Sequence, residues 1–576
     1  MVDLRTSTIW TPMRDGVQLH GTLFHPGDAE KPLPVVMMRN PYNGAAGGPP
    51  IWDGLCADLA RRGYAVVNQD VRGTGRSEGE FAPFFQEGLD GYDAVEWAAG
   101  QSWSNGKIGL WGISYLGVCV MQAAVLRPPH LVAGAAHFTA SDYHDHWVYD
   151  NGVFNDRFAR EWANEFVRDR RLRREQGIGS MVDQVGPSAP PPRSAPSDFA
   201  DKPVFYYEWL SHPSFDDYWA SIDLESRYGE IDIPILMKGG WFDAFASGTL
   251  RNFIGVRAHG QGRARNRTRL IMAPACHQPW NSRTITFPNA PEAMPDMDAS
   301  WWDEQLRGIP AADGAAPVRV YVMAPPRAGP ADEGFWIEAD TYPLTGGEPA
   351  RYALVSEGRG DGELVRDGSS SGPPDRFVHD RADPVPTMGG ALVTLDPEIP
   401  VGIVDQASLV NRPDLLSYTS VPFTNDVAVV GPVTLVFWAS SSATLTQFNA
   451  KLTVVRDDGS VLNYLDRIVS SILRESSRLT PCQPQPAVVY RYEVELGHTA
   501  LLLRPGMQLR LEIASSNSPR FALGASGDGT ADQNIFHDSE HSSWLEVLEI
   551  EPAWLPDPPG TAIRAWSHLS PAGVAR

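Results

Sequence analysis

The feature that most constrains this fold is a change of rhythm near residue 340. Before it, strand-like and helix-like segments alternate. After it, helices nearly vanish and short β-branched runs recur between Gly, Pro and Asp turns. Alternation means a largely parallel sheet with helices on its faces. Strand-only segments mean an antiparallel sandwich. The early segments include Val17–Phe24, which alternates after the turn Arg14-Asp15-Gly16 and reads as an antiparallel strand. Leu33–Met38, Tyr64–Asp70 and Lys107–Trp111 read as buried strands, and Gly91–Ala99 and Tyr115–Leu126 as helices. The rhythm breaks from about 144 to 224, where the chain turns helical and aromatic around the loop-like run Gly186–Pro192. It resumes at Ile233–Lys238, Arg269–Ala273 and Val318–Val322. The expected fold class is α/β: a core in two parts, 1–143 and 225–340, a helical cap inserted over 144–224, and a jelly-roll β-sandwich over 341–576. Within the sandwich Val427–Val430, Val433–Phe437, Lys451–Val455 and Leu509–Ile513 read as strands.

Composition narrows the function classes. With 48 Lys+Arg against 70 Asp+Glu the formal charge is −22, which argues against nucleic acid or an anionic membrane as partner. The basic run Arg168–Arg174 reads as a solvated helix face. The four cysteines, Cys56, Cys119, Cys276 and Cys482, lie far apart without C-x-x-C spacing, which disfavours disulfides, zinc clusters and redox pairs. No stretch approaches the ~20 apolar residues of a membrane span, and the N-terminus shows no signal-peptide pattern. A cytoplasmic protein is expected.

The sharpest chemical signal is Gly112-Ile113-Ser114-Tyr115-Leu116-Gly117, between a strand and a helix. A serine there rides a tight turn at the sheet edge, and the next backbone N–H, at a helix N-terminus, faces a developing oxyanion. The pattern departs from Gly-x-Ser-x-Gly at Leu116, and a plain helix N-cap is the competing reading for Ser114. A nucleophilic serine needs an acid and then a base, in that order, on loops after later strands. Asp243 follows the strand ending at Gly240, and His277 follows the strand ending at Ala273. Both are strand C-termini, where such sheets place their sites. A loop-capping Asp and a structural His are the competing readings.

These stretches carry a resemblance. Pro12–Val17, Arg39-Asn40-Pro41-Tyr42, Gln69–Gly73 with Ser77-Glu78-Gly79, Gly112–Gly117, His212-Pro213, Gly240–Asp243, Leu306-Arg307-Gly308, Ala382–Gly390 and Gly506–Asn517 resemble the family of cocaine esterase, α-amino-acid ester hydrolases and cephalosporin acylases, related to X-Pro dipeptidyl-peptidases. The resemblance spans essentially the whole chain. It implies the same three-part organisation, and a Gly-x-Ser-Tyr-x-Gly elbow that accommodates Leu116. It implies Ser114 as nucleophile, Asp243 as orienting acid, His277 as base, and the Tyr42 hydroxyl with the Tyr115 N–H as oxyanion hole. It also implies Trp147 and Trp162 as cap aromatics that pack on a substrate ring, beside Phe245. One departure stands: the family's Gly-Pro-Trp-x-His is here Ala273-Pro274-Ala275-Cys276-His277. The missing Trp alters the pocket wall and weakens transfer of any particular substrate.

The expected function is a serine hydrolase of small esters or amides acting through an acyl-enzyme, with no metal or organic cofactor, a small-molecule partner, and homo-oligomerisation left open. An X-Pro or proline-type aminopeptidase, or an acyl transferase, is the alternative. The chain's start, close to Pro12–Gly16, argues against the X-Pro type. A non-catalytic carbohydrate-binding protein is the third reading. Asp142, Asp145, Asp150 and Asp156, near the cap entrance, read as a solvated acidic face rather than an ammonium site.

Overall fold

In the computed structural model, residues 3–27, 29–43, 51–175, 203–277, 284–290, 297–310, 316–394, 396, 398–474, 481–524 and 529–551 are described below. The run Gly186–Pro192 lies outside them. The elements of the first part are β1 (Leu4–Pro12), β2 (Gln18–Pro26), β3 (Leu33–Asn40), α1 (Ile51–Arg61), β4 (Ala65–Asp70), α2 (Glu87–Ala99), β5 (Ser104–Ile113), α3 (Tyr115–Ala124) and β6 (Leu131–His137). A two-residue hairpin, β7 (Tyr149–Asp150) and β8 (Val153–Phe154), leads to helices α4 (Asp156–Glu175), α5 (Val204–Ser211) and α6 (Asp217–Ala220). The sheet resumes with β9 (Ile235–Phe242), α7 (Ala246–His259), α8 (Gly262–Arg267), β10 (Arg269–Cys276), α9 (Ala299–Trp302), β11 (Val318–Val322) and β12 (Phe335–Ala339).

Ten strands form one sheet in the order β1-β2-β4-β3-β5-β6-β9-β10-β11-β12. From β4 to β11 the neighbours are parallel, with antiparallel strands at both ends. β3 and β4 are buried almost throughout, as a parallel strand covered on both faces must be. Alternate residues of β3 serve opposite faces. Val36 and Met38 meet Cys56 and Leu59 of α1 and Trp301 and Trp302 of α9. Val35 and Met37 belong to the core shared by α2, α3 and α7. β6 and β9 are parallel neighbours, paired from Gly134 with Ile235. The hairpin and α4–α6 therefore leave the sheet between two adjacent strands, at its C-terminal edge.

The remainder is β-structure: β13 (Glu348–Val355), β14 (Asp361–Arg366), β15 (Asp375–Asp380), β16 (Leu416–Ser420), β17 (Val427–Ser441), β18 (Gln447–Val455), β19 (Val461–Ser470), β20 (Tyr490–Leu503), β21 (Gln508–Ala514), β22 (Thr530–Phe536) and β23 (Trp544–Ile550). All pairings are antiparallel except β14 with β16. Val427–Val430 and Val433–Phe437, read from the sequence as two strands, are one long strand. Its register shifts between Val429 and Val433, around Gly431-Pro432. That dipeptide looks like a turn in the sequence but makes a bulge here. Among the described residues no helix is long and apolar enough to cross a membrane.

Candidate active site

The elbow at Ser114 is built by close approach. Ser114 has φ 59° and ψ −126°, a region that a non-glycine residue holds only when its surroundings enforce it. The enforcing bonds run from Ser114 N–H to the His137 carbonyl (2.9 Å), and to the Ser114 carbonyl from Gly117 N–H (2.9 Å) and Thr139 Oγ1 (2.8 Å). A Cβ at Gly112 would lie 2.1 Å from the Leu116 carbonyl oxygen, and one at Gly117 would lie 2.8 Å from Thr139 Cβ. These two glycines are what the turn requires. Position 116 tolerates a large residue because the Leu116 side chain is buried in the apolar cluster with Met38 and Trp111.

Asp243 and His277 are brought together by strand register. β9 and β10 pair regularly to Gly240 opposite Ala273, then shift so that Phe242 faces Cys276. The Ala275 carbonyl bulges towards Gly240, where a Cβ would lie 2.1 Å from its oxygen. The next residue on each strand is Asp243 and His277. Asp243 Oδ1 lies 2.9 Å from His277 Nδ1, and His277 Nε2 lies 3.0 Å from Ser114 Oγ. The Asp243 side chain is fully buried, while that of His277 keeps 11% of its surface. An acceptor-only carboxylate fixes Nδ1 as the protonated nitrogen and leaves Nε2 to accept from the serine hydroxyl.

Tyr42 sits on the turn after β3, with its N–H donating to Asn40 Oδ1 (2.9 Å) and Asn40 Nδ2 donating to Asn43 Oδ1 (2.7 Å). Its hydroxyl has the Ser114 side chain as a neighbour and accepts from the Trp162 indole N–H at 2.9 Å. Burial pushes the Tyr42 phenol far up, and the charge of Glu165 pushes the same way, so the hydroxyl stays protonated. Tyr115 is wholly buried. Its hydroxyl donates to Glu87 Oε1 (2.8 Å) and accepts from Phe84 N–H (2.9 Å), which anchors the residue whose backbone N–H opens α3. Glu87 also pairs with buried Arg39 (2.8 Å), on the strand that leads to Tyr42.

Trp147, Trp162 and Phe245 converge on the same place. They are 0%, 5% and 0% exposed and belong to one aromatic cluster with Tyr115. Phe245 stacks on Trp147 (4.6 Å) and meets the His277 ring edge-on (5.3 Å). Trp147 and Trp162 meet at 5.7 Å. Sequence reasoning missed Glu165, one helical turn after Trp162 on α4. Burial pushes its carboxyl up to about 7, with Arg168 pulling down and Glu161 pushing up. The i, i+3 spacing from Trp162 was the signal that could have found it.

Two charge readings are corrected. Asp142, Asp145 and Asp150 are buried, not a solvated face. Asp145 Oδ2 lies 3.0 Å from Arg467 Nη2, and Asp150 also pairs with Arg467. Their cation comes from β19, more than 300 residues along the chain. Asp156, nearer the surface, pairs with Arg160 on its own helix at 2.5 Å. Of the basic run, Arg173 is buried and donates to the carbonyls of Gly75 (3.1 Å) and Ser77 (2.7 Å).

Comparison with known proteins identifies the family. Residues 15–279 match the family model described as X-Pro dipeptidyl-peptidase (S15 family). Residues 310–546 match the X-Pro dipeptidyl-peptidase C-terminal non-catalytic domain. The chain is 30% identical over 591 residues to cocaine esterase from Rhodococcus sp. (strain MB1 Bresler), covering 94% of this chain and 98% of that protein. Two solved structures share the fold at lower identity. An aminopeptidase from a marine sediment archaeon, Thaumarchaeota archaeon, has a TM-score of 0.77 at 18% identity, covering 96% of this chain and 97% of that one. An α-amino acid ester hydrolase has a TM-score of 0.73 at 20% identity, covering 95% and 97%. The chain belongs to the X-Pro dipeptidyl-peptidase (S15) family and is a serine hydrolase.

Proposed function

We propose that this enzyme cleaves an ester or amide bond of a small acyl substrate through an acyl-enzyme on Ser114. The observation that carries the reading is the unbroken chain Asp243 Oδ1–His277 Nδ1 (2.9 Å) and His277 Nε2–Ser114 Oγ (3.0 Å). His277 takes the serine proton as Oγ attacks the substrate carbonyl. Asp243 holds the imidazole tautomer and stabilises the imidazolium. The Tyr42 hydroxyl and the Tyr115 N–H receive the oxyanion, each such donor contributing about 3 kcal/mol to the barrier reduction. His277 returns the proton to the leaving group, then activates water against the acyl-enzyme. The chemistry needs no metal or organic cofactor. The buried aromatic cluster of Trp147, Trp162 and Phe245 backs the site. Esters are the favoured class, since the chain is 30% identical to cocaine esterase over 98% of that protein. A proline-type peptidase is the second reading, favoured by the family model over residues 15–279.

The test is a panel of chromogenic aryl esters, amino-acid esters, and Pro and Ala-Pro arylamides, run on wild type and Ser114→Ala. Ester turnover is expected to exceed arylamide turnover, and Ser114→Ala to lose about a thousandfold or more while keeping its fold. Near-normal turnover by the variant would sink the mechanism. Arylamides outrunning esters would instead favour the peptidase reading.

A further inference from the structure

The resemblance casts Trp162 as a wall for the substrate. The structure gives its indole N–H a different partner, the Tyr42 hydroxyl oxygen at 2.9 Å. We propose that Trp162 is a positioning residue for the oxyanion hole: its N–H occupies the acceptor side of the Tyr42 hydroxyl, so that the phenol proton points at the reacting oxygen. The proposal rests on Tyr42 being an oxyanion donor.

A phenol oxygen has one proton and can also accept, whereas an indole N–H can only donate. With Trp162 donating into Tyr42 Oη, the Tyr42 proton is left for the other side of the oxygen, where the Ser114 side chain is a neighbour. That is where a tetrahedral oxyanion would form. Donation into the phenol oxygen also polarises its O–H and strengthens it as a donor. The indole cannot easily turn away. It is 5% exposed and held by Phe166 (4.5 Å), Phe205 (5.4 Å) and Tyr115 (5.6 Å). Rotating it would leave a buried N–H unpaired. Burial and the neighbouring Glu165 keep the phenol protonated, so a proton is there to be aimed. Trp162 lies on α4, in the segment that leaves the sheet between β6 and β9. Tyr42 follows β3 of the sheet itself. The oxyanion hole is thereby completed across two layers of the molecule.

A double-mutant cycle on one chromogenic ester tests this, with kcat and KM read separately. Tyr42→Phe is expected to lower kcat a hundred- to thousandfold. Trp162→Phe is expected to lower kcat about tenfold with KM within about twofold, in line with one lost hydrogen bond. The double variant is expected to match Tyr42→Phe within about twofold, because a residue acting through Tyr42 has nothing left to act on. Multiplicative losses in the double variant, or a Trp162→Phe effect confined to KM, would overturn the proposal and return Trp162 to substrate packing. An unaffected Tyr42→Phe would remove Tyr42 from the oxyanion hole and overturn the proposal with it, while the Ser114→Ala comparison reports separately on the nucleophile. Should Trp162→Phe fail to fold, benzothienylalanine at 162 keeps the bicyclic shape and replaces the N–H by sulfur. The same tenfold loss in kcat is expected, and an unchanged kcat would overturn the proposal.

Discussion

Single residues around Ser114 divide by whether their reason is local. Gly112, Ser114 and Gly117 are legible because the turn and its immediate packing demand them: close approaches to the Leu116 carbonyl and the Thr139 side chain, and one positive φ. Leu116 looks wrong in the sequence and is right in the structure, because its side chain packs in a cluster with residues of other strands. Trp162 could be placed near the site by resemblance, but not its hydrogen bond to Tyr42, 120 positions away. Glu165 was missed altogether, and its charge can be tested. Its folded value of about 7 stands above the ordinary 4.5. An acid raised in this way favours the folded state below its free value, and that advantage is lost as pH rises through the folded value. Glu165→Gln should therefore be more stable than wild type at pH 8, by up to about 3 kcal/mol, and no more stable at pH 4. Denaturant midpoints at the two pH values measure this, and an equal difference at both would refute it.

At the scale of elements, some of the strands rich in Val, Ile and Leu were read from the sequence, while others of the same character, β19 and β23 among them, were passed over. β6, Leu-Val-Ala-Gly-Ala-Ala-His, has little β-branched character and was passed over. It needs small residues, since a Cβ at Gly134 would lie 2.9 Å from Val120 of α3. The end of β6 is nevertheless essential to the elbow, because the His137 carbonyl receives the Ser114 N–H. Asp298 fixes that end. Its carboxylate meets His137 Nε2 (2.5 Å), Trp111 Nε1 of β5 (2.9 Å) and Lys238 of β9, tying three strands at the edge where Ser114 sits. Burial opposes ionisation of Asp298, but Lys238 and His137 outweigh it and hold the carboxyl far below its usual range. The stability this contributes is present above the free carboxylate value and lost as pH falls. Asp298→Asn is expected to cost about 3–5 kcal/mol at pH 7, the penalty for breaking a buried ion pair from one side. The gap should narrow below about pH 4, where the unfolded carboxyl already holds its proton. Urea midpoints across pH 3–8 follow it, and a pH-independent gap would assign the loss to packing.

For the whole molecule, the sequence separated the layers but hid what joins them. The change of rhythm near residue 340 marks where the parallel sheet ends and the β-structure begins, yet one part of the join, beside the shared apolar core, is electrostatic and long-range. Arg467 of β19 reaches Asp145 and Asp150 in the segment after β6. Arg520 pairs with Asp466 at 2.6 Å and lies 3.8 Å from Asp150. Every one of these side chains is buried. Charges of this kind look like a solvated face when read locally, because only the fold supplies the opposite sign. Burial works against Asp145 ionising, but His146 and Arg467 hold it below the usual range; burial pushes Asp150 up despite Arg467. Two residues after Asp145 stands Trp147, stacked on Phe245, whose ring meets His277. The junction therefore lies two ring contacts from His277. Arg467→Met keeps volume but strands two buried carboxylates, so it should cost about 3–5 kcal/mol of stability at pH 7. If the stranded charges rather than lost contacts cause the loss, adding Asp145→Asn and Asp150→Asn to Arg467→Met should restore more than half of it. Unfolding midpoints of the single and triple variants decide this, and a triple variant no more stable than Arg467→Met would show that the join is made by shape instead.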